Sequence, residues 1–543
     1  MENLQKWRFT WEAQSHIPTL RLFLFDSRTN PSLQCRNLQV HVNLSQSLVL
    51  VSWSDDVAKT SLRVPIPRVL VDSESPVNFR AFDDHIEVKL ILLLPVGHSL
   101  VSNLDSIFNS SGDAETAVSN SSKSLSVDSD IKSLISCGAV SFYCKNCKFN
   151  LTRSPLRNFA EMPSVNWREV ADNWFGACCC SFGGISEKLV TRFANSYTCS
   201  KGVCLLSFAT ITVCKDDLVE CNFSDLSKGQ SHKTGPDLSC EPEFGESTLN
   251  SNPCNEKSSF GKLEDEEVGA DVVCVVPEEE SNIDRLYNLR LQSDSSGKDD
   301  LAKGCCAHHV SETHTENQKL GQSMEILENQ KTFLNGFLGN IFMVKSSNLS
   351  ADVEWVEYLC PHCSTLLGAY PCGNGFAPVD GGVRLFKCYI STSLPVGGSE
   401  DLFRKYTLER MFSNQLLDFA KDELSYRTVV RDLITKVPVL QIVIVNTNSW
   451  SCTNYCLSTR SSGEAAPKLD LHPVIKVLFT ESSSEKESEI RKMEDQIKKD
   501  LADEVFMLRP QIEDVVELLL SAKNILPPSC SSLQGLSLSS MHM

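Results

Sequence analysis

Long apolar runs are missing from this 543-residue chain. Nothing in it reaches the roughly 18 consecutive apolar residues of a membrane-spanning helix, so no membrane association is expected. A hydrophobic leader is missing too, because the chain opens MENLQKWRFTWEAQ, polar and charged. Positive charge is scarce. Lys and Arg number 51 against 69 Asp and Glu, for a formal net charge of -18. No basic stripe that could follow a phosphate backbone is present, so direct nucleic-acid binding is not expected and proteins are the expected partners. What the chain has in quantity is cysteine, 23 in all. The odd count, adjacent thiols such as Cys178-Cys179-Cys180 and Cys305-Cys306, and the polar start point to a reducing compartment, cytoplasmic or nuclear.

The length is too great for one core, and 41% hydrophobic residues can fill two domains with unstructured material between them. Residues 5 to 105 read as successive strands: WRFTWEAQ, TLRLFLFD, LQVHVNLSQSLVLVSW, SLRVPIPRVLV and FRAFDDHIEVKLILLLP, separated by turn signals such as Arg28-Thr29-Asn30-Pro31. An N-terminal antiparallel β-sandwich or barrel over 1–105 is expected. Residues 106–130, rich in Ser, Asn and Asp, read as a flexible linker. Then come a cysteine-rich α+β segment over 131–221 and an acidic, disordered insertion over 222–329. Over 330–530 the pattern is mixed: PVLQIVIVNTNSW and HPVIKVLFTE as strands, EDLFRKYTLERMFSNQLLDFAKDEL and SEKESEIRKMEDQIKKDL as helices, and a last helix opened by Pro510. The tail, 531–543, reads as loose. The expected class is α+β and β-rich.

Two short motifs carry the chemistry. FYCKNCKFNL holds Cys144 and Cys147, and EYLCPHCSTLL holds Cys360 and Cys363. Each places an aromatic residue before a Cys-x2-Cys turn, which aims two sulfurs at one point and is half of a structural zinc site. Two completions are open: the turns could face each other in one four-thiolate site, or Cys178 with Cys180 could serve one of them. Zinc is the expected cofactor. The alternative is that these are buried reduced thiols packing as small hydrophobes. Trp167 and Trp174 read as core residues of a short helix. Cys305, Cys306, His308, His309 and His314 lie in the polar insertion, where such residues are more often incidental than ligating.

Taken together, the first Cys-x2-Cys strand, PSVNWREVADNWF followed by cysteines, the second Cys-x2-Cys followed by Leu366-Leu367-Gly368, and a C-terminal helix running into LPPS resemble the HECT-like ubiquitin-conjugating-enzyme-binding ubiquitin-protein ligases. The resemblance covers roughly 5 to 220 and 330 to 530. It implies binding of a charged ubiquitin-conjugating enzyme and transfer of ubiquitin to the protein itself or to a substrate protein. It also implies a link to messenger RNA 3′-end processing, where a segment near Cys144 could block a metal-dependent endonuclease. By the same likeness Cys530, in Leu526-Pro527-Pro528-Ser529-Cys530, stands where HECT enzymes carry the acceptor cysteine, with Ser529 in place of the expected Thr. No His and Asp pair is recognisable beside it, and a surface thiol in a polar tail is the plainer reading. Three functions therefore stand as expectations: a ligase, a non-catalytic regulator of a conjugating enzyme or nuclease, and a zinc-stabilised adaptor with no tie to ubiquitin.

Overall fold

The computed structural model describes residues 7–54, 59–100, 125–162, 199–219, 341–346, 349, 353–372, 377–378, 380–457, 467–482, 487–499 and 501–543. The chain divides into two compact units, Met1–Gly229 with Lys319–Met543, which contains every described residue, and Gln230–Gln318. The expected insertion, Trp167, Trp174, Cys178, Cys180, Cys305, Cys306, His308, His309 and His314 lie outside the described residues.

The first unit is built on one 18-residue strand, Pro438–Tyr455. Its opening run of Val439, Leu440, Ile442 and Ile444 is buried, as suits an apolar, mostly β-branched run covered on both faces. On one side it pairs with His472–Glu481 along both halves. On the other, Arg427–Asp432 takes its first half and Arg8–Gln14 its second. The ladder slips between Ile444 and Ser449, a bulge that turns the strand and lets one edge serve two neighbours.

The expected boundary near residue 105 is corrected by this arrangement. Arg8–Gln14, Ile17–Phe25, Ile86–Ile91 and Asn78–Ala81 continue the 11-stranded sheet that the C-terminal half begins. A separate three-stranded sheet, Arg36–Asn43, Leu48–Ser54 and Lys59–Pro65, closes a sandwich core of Phe9, Trp11, Leu20, Leu22, Val49, Val51, Val64 and Val88. Each of these side chains gains about 1.5–3 kcal/mol from leaving water. Trp450 and Cys452, from the long strand, join the same core.

A second core surrounds a six-stranded sheet in the order Glu354–Leu359, Leu366–Cys372, Gly382–Phe386, Thr210–Cys214, Val203–Leu206, Asn158–Glu161. Leu366–Cys372, Gly382–Phe386 and Thr210–Cys214 are buried along their whole length. Gly368 accounts for the Leu-Leu-Gly signature: a Cβ there would stand 1.9 Å from the Arg384 carbonyl oxygen. The 400–424 stretch, read as one helix, begins as a 3₁₀ turn over Leu402–Lys405 and restarts at Leu408–Asp422, where the Thr407 side chain accepts from the Arg410 N–H.

Two further readings are corrected. A helix, Val127–Cys137, begins inside the expected linker, capped by Ser126; residues 101–124 lie outside the described ones. The tail is a strand: Leu536–His542 pairs with the outer edge of His472–Glu481. Gln534 and Gly535, both with positive φ, make the two-residue turn that folds it back on Ser532–Leu533. Of its serines, Ser539 is buried and satisfies its hydroxyl by donating to the Leu519 carbonyl. Among the described residues no helix is long and apolar enough to cross a membrane.

Candidate metal centre and the Cys530 turn

The first Cys-x2-Cys begins at the end of the short strand Tyr143–Cys144, which pairs with Ile390–Ser391. The second forms the turn between Glu354–Leu359 and Leu366–Cys372. Their backbones repeat each other. In the first, the Lys148 N–H donates to the Cys144 carbonyl and the Cys144 N–H to that of Phe149, each at 2.9 Å. In the second, Ser364 donates to Cys360 and Cys360 to Thr365, each at 2.8 Å. The residue after the second cysteine is left-handed in both, Lys148 at φ 63° and Ser364 at φ 57°. Closing each loop this way turns both sulfurs to the same side.

The two turns face each other. Cys144 Sγ lies 3.8 Å from Cys363 Sγ and Cys147 Sγ 3.6 Å from Cys360 Sγ, and all four sulfurs fall within 4.8 Å of one another. A zinc–sulfur bond of about 2.3 Å separates tetrahedral thiolates by about 3.8 Å. A disulfide needs about 2.05 Å, and all four cysteines are free. The donor set therefore fits a structural zinc ion, with no position open to a fifth group. Among the described residues this is the only cluster of this kind. Of the two completions left open, the structure brings together the one between the Cys-x2-Cys turns.

The surroundings are asymmetric. Cys144 and Cys360 are buried, and Cys147 and Cys363 half-buried. Burial pushes the Cys144 thiol up to about 12 and raises that of Cys360. Cys363 is held down to about 6, first by hydrogen bonding to the Thr365 hydroxyl and then by the Thr365 N–H. Ionised together, four thiolates this close would repel one another, so a metal cation is the group that would let all four lose their protons. Outside the sulfurs, Asn146 Nδ2 donates to Thr365 Oγ1 at 2.9 Å, and His362 stacks on Phe149 with centroids 5.7 Å apart. Each turn thus grips the other by a residue between its cysteines, which orients the ligands.

Lysines fix the first turn to the core. Lys145 Nζ donates to the carbonyls of Lys387, Phe403 and Tyr406 at 3.3, 3.1 and 3.1 Å, and desolvation lowers its pKa. Asp130, from the Val127–Cys137 helix, accepts from Lys387 Nζ at 2.7 Å, Lys405 Nζ at 2.8 Å and the Tyr406 hydroxyl at 2.5 Å. Lys387 and Asp130 are both buried. This network was not legible in the sequence, since its members are 257 and 276 residues apart.

Cys530 belongs elsewhere, in the 3₁₀ turn Pro528–Cys530. That turn docks on the N-terminal sandwich. The Thr10 hydroxyl donates to the Ile525 carbonyl at 2.5 Å, and Leu526 is buried. The Asp84 carboxylate accepts from the Ser529 N–H at 2.7 Å and from its hydroxyl at 2.8 Å. His85, buried and stacked on Phe82 at 4.6 Å, keeps Nδ1 2.8 Å from Asp84 and 3.5 Å from Ser529 Oγ. Ser529 Oγ lies 3.8 Å from Cys530 Sγ. Burial raises the Cys530 pKa and the Asp84 charge adds to this, whereas a Ser529 hydroxyl donating to the sulfur would lower it. An Asp and His pair therefore does accompany the thiol, 445 residues upstream of Ser529, where sequence proximity could not reveal it.

No curated protein and no solved structure matches the chain. A family model does, described as HECT-like Ubiquitin-conjugating enzyme (E2)-binding, over residues 12–255 and 304–538. The matched stretches contain both Cys-x2-Cys turns, Asp84, His85 and Cys530, and span most of the sequence on both sides of one gap, so the chain belongs to the HECT-like E2-binding family.

Proposed function

We propose that this protein is a ubiquitin ligase that binds a charged ubiquitin-conjugating enzyme and promotes transfer of ubiquitin to itself or to a substrate protein. The observation that carries the reading is the joining of the two family-matched stretches: they share one sheet and bring two Cys-x2-Cys turns together into a four-sulfur centre. A zinc ion there would be held by Cys144, Cys147, Cys360 and Cys363 and would supply rigidity rather than chemistry. Holding a conjugating enzyme beside an acceptor lysine gains rate from proximity and orientation alone.

Cys530 is the residue through which a covalent route would run. Its sulfur would attack the thioester carbonyl, forming a new carbon–sulfur bond while the bond to the conjugating enzyme breaks, and the proton lost from Cys530 would be made up on the departing thiolate. A half-buried thiol with a raised pKa beside a carboxylate is a poor resting nucleophile, which favours the proximity route. Incubation with a charged conjugating enzyme distinguishes the two. The proximity route gives autoubiquitination that survives in Cys530→Ser with no reducible adduct, and the covalent route gives an adduct that vanishes in that variant. Absence of any ubiquitin transfer with a full panel of conjugating enzymes would overturn the ligase reading and leave a binding protein.

The nuclease-blocking alternative asks Cys144 to reach a partner's metal. Its sulfur is buried among three others, and a thiolate in a four-ligand site has no free valence for that role. Localisation in the cytoplasm or nucleus is part of the proposal, resting on the cysteine usage alone.

A further inference from the structure

We propose that Asp84 is a positioning residue that holds Cys530 as a protonated, half-withdrawn thiol, with Ser529 as the intermediary. The inference rests on the ligase reading only in giving that thiol a use; the arrangement itself stands on geometry.

The argument begins with proton counting. Ser529 has one hydroxyl proton, and Asp84 Oδ1 takes it at 2.8 Å. What Ser529 Oγ then turns toward Cys530 Sγ, 3.8 Å away, is a lone pair. A lone pair accepts from S–H and repels a thiolate. The second carboxylate oxygen accepts the Ser529 N–H at 2.7 Å, which fixes the turn against Asp84.

The arrangement is not a catalytic triad. His85 offers the same ring nitrogen, Nδ1, to Asp84 and to Ser529, at 2.8 and 3.5 Å. A relay would need one nitrogen for each partner. His85 is instead wedged against Phe82 and Phe23, with centroids 4.6 and 5.6 Å away, and serves as a backstop for the carboxylate.

The other charges facing the sulfur come from neighbouring strands and largely cancel. Arg21 is engaged by Glu87 at 2.7 Å, and Glu12 by Lys476 at 2.6 Å. Asp84 is the charge left beside the sulfur, and it adds to burial in keeping Cys530 protonated. In a ligase this keeps the sulfur inert until docking of a partner displaces the Pro527–Cys530 turn from Asp84.

The test follows alkylation of Cys530 by iodoacetamide in the full-length protein, read by peptide mass spectrometry across pH 6.5 to 10. In the wild type, Cys530 should react at least threefold more slowly at pH 7.5 than the same cysteine in a free LPPSCSS peptide. Asp84→Asn should speed the reaction about threefold, the gain in thiolate being partly offset by its lower nucleophilicity. It should also move the pH profile toward acid. Asp83→Asn, whose carboxylate touches Ser32 instead, should change nothing. Protection of buried Cys204 in the same digest reports an intact fold. An unchanged or slower Cys530 with Cys204 protected overturns the proposal, as does a wild-type rate equal to that of the free peptide. The readout needs no ubiquitin, so a ligase that proves to transfer without Cys530, or a chain that proves not to be a ligase, leaves this result standing on its own.

Discussion

At the scale of single residues the molecule is organised by groups whose partners lie hundreds of positions away. The four sulfurs are the clearest case. Replacing Cys144, Cys147, Cys360 or Cys363 by Ser should each take zinc from about one per chain to well below one, measured by elemental mass spectrometry, whereas Cys452→Ser, in the other core, should leave it unchanged. Chelation of the wild type should lower its melting temperature in the same sense. Asp130 gives a second residue-scale expectation. It is the acceptor shared by two lysines, one of them buried, so Asp130→Ala leaves like charges facing each other without a counter-ion. Breaking a buried pair from one side costs about 3–5 kcal/mol, and denaturant titration should show a loss of that order. The four cysteines could be picked from the sequence because Cys-x2-Cys needs only local spacing. Asp130, Lys145, Lys387 and the Asp84–His85 pair could not, because in the sequence each is an ordinary polar residue and only folding supplies the partner.

At the scale of elements, what read well was whatever a local period dictates. The alternating strands of 7–95 and the run HPVIKVLFTE appear where expected, and of the amphipathic helix expected over 400–424 the part Leu408–Asp422 forms. The tail shows what a local period misses. LSLSSMH looks polar and loose, yet it is a strand, because the edge of His472–Glu481 needs a partner and Gln534-Gly535 can make a tight turn. Strand pairing of this kind is decided by the neighbour, not by the segment. The helix Glu487–Lys498, expected as a solvated face, buries Met493 and anchors through a bidentate pair: Arg431 donates from Nη1 to Glu494 Oε1 at 2.8 Å and from Nη2 to Oε2 at 2.9 Å. Those hydrogen bonds hold the Glu494 carboxyl below its ordinary range. A carboxyl lowered by folding adds stability above its unfolded pKa, near 4.3, and that increment disappears as pH falls through the folded value. Glu494→Gln should therefore cost up to about 1 kcal/mol at pH 7 and less at pH 3, by denaturant midpoints at the two pH values.

At the scale of the whole chain, the sequence suggested two domains in series, and the structure weaves them. The reason is physical. An 18-residue strand offers enough edge for one neighbour from each half, and neither half alone fills its share of the sheet. The family-matched stretches skip residues 256–303. Deleting 256–303 should accordingly leave zinc content and melting temperature within error of the full chain and preserve binding to a conjugating enzyme, by calorimetry and pull-down. A fall in zinc content or stability would mean the insertion takes part in the folded unit. That the chain belongs to an E2-binding family could be read from separated motifs in order; the Asp84 and His85 setting of Cys530 could not.

The span of the sulfur centre has a further consequence for synthesis. Cys147 and its partner Cys360 are 213 residues apart. At about 5–20 residues per second, a ribosome takes roughly 10–40 s to deliver the second pair after the first has emerged. Over that interval the early thiols have no metal geometry to complete, and the opening strand waits for the long strand that will pair with it. The nascent protein is thus most exposed to oxidation and mispairing late in translation, and if the four sulfurs hold the proposed metal, its shortage would be felt as poor yield of newly made molecules before it was felt as loss from finished ones.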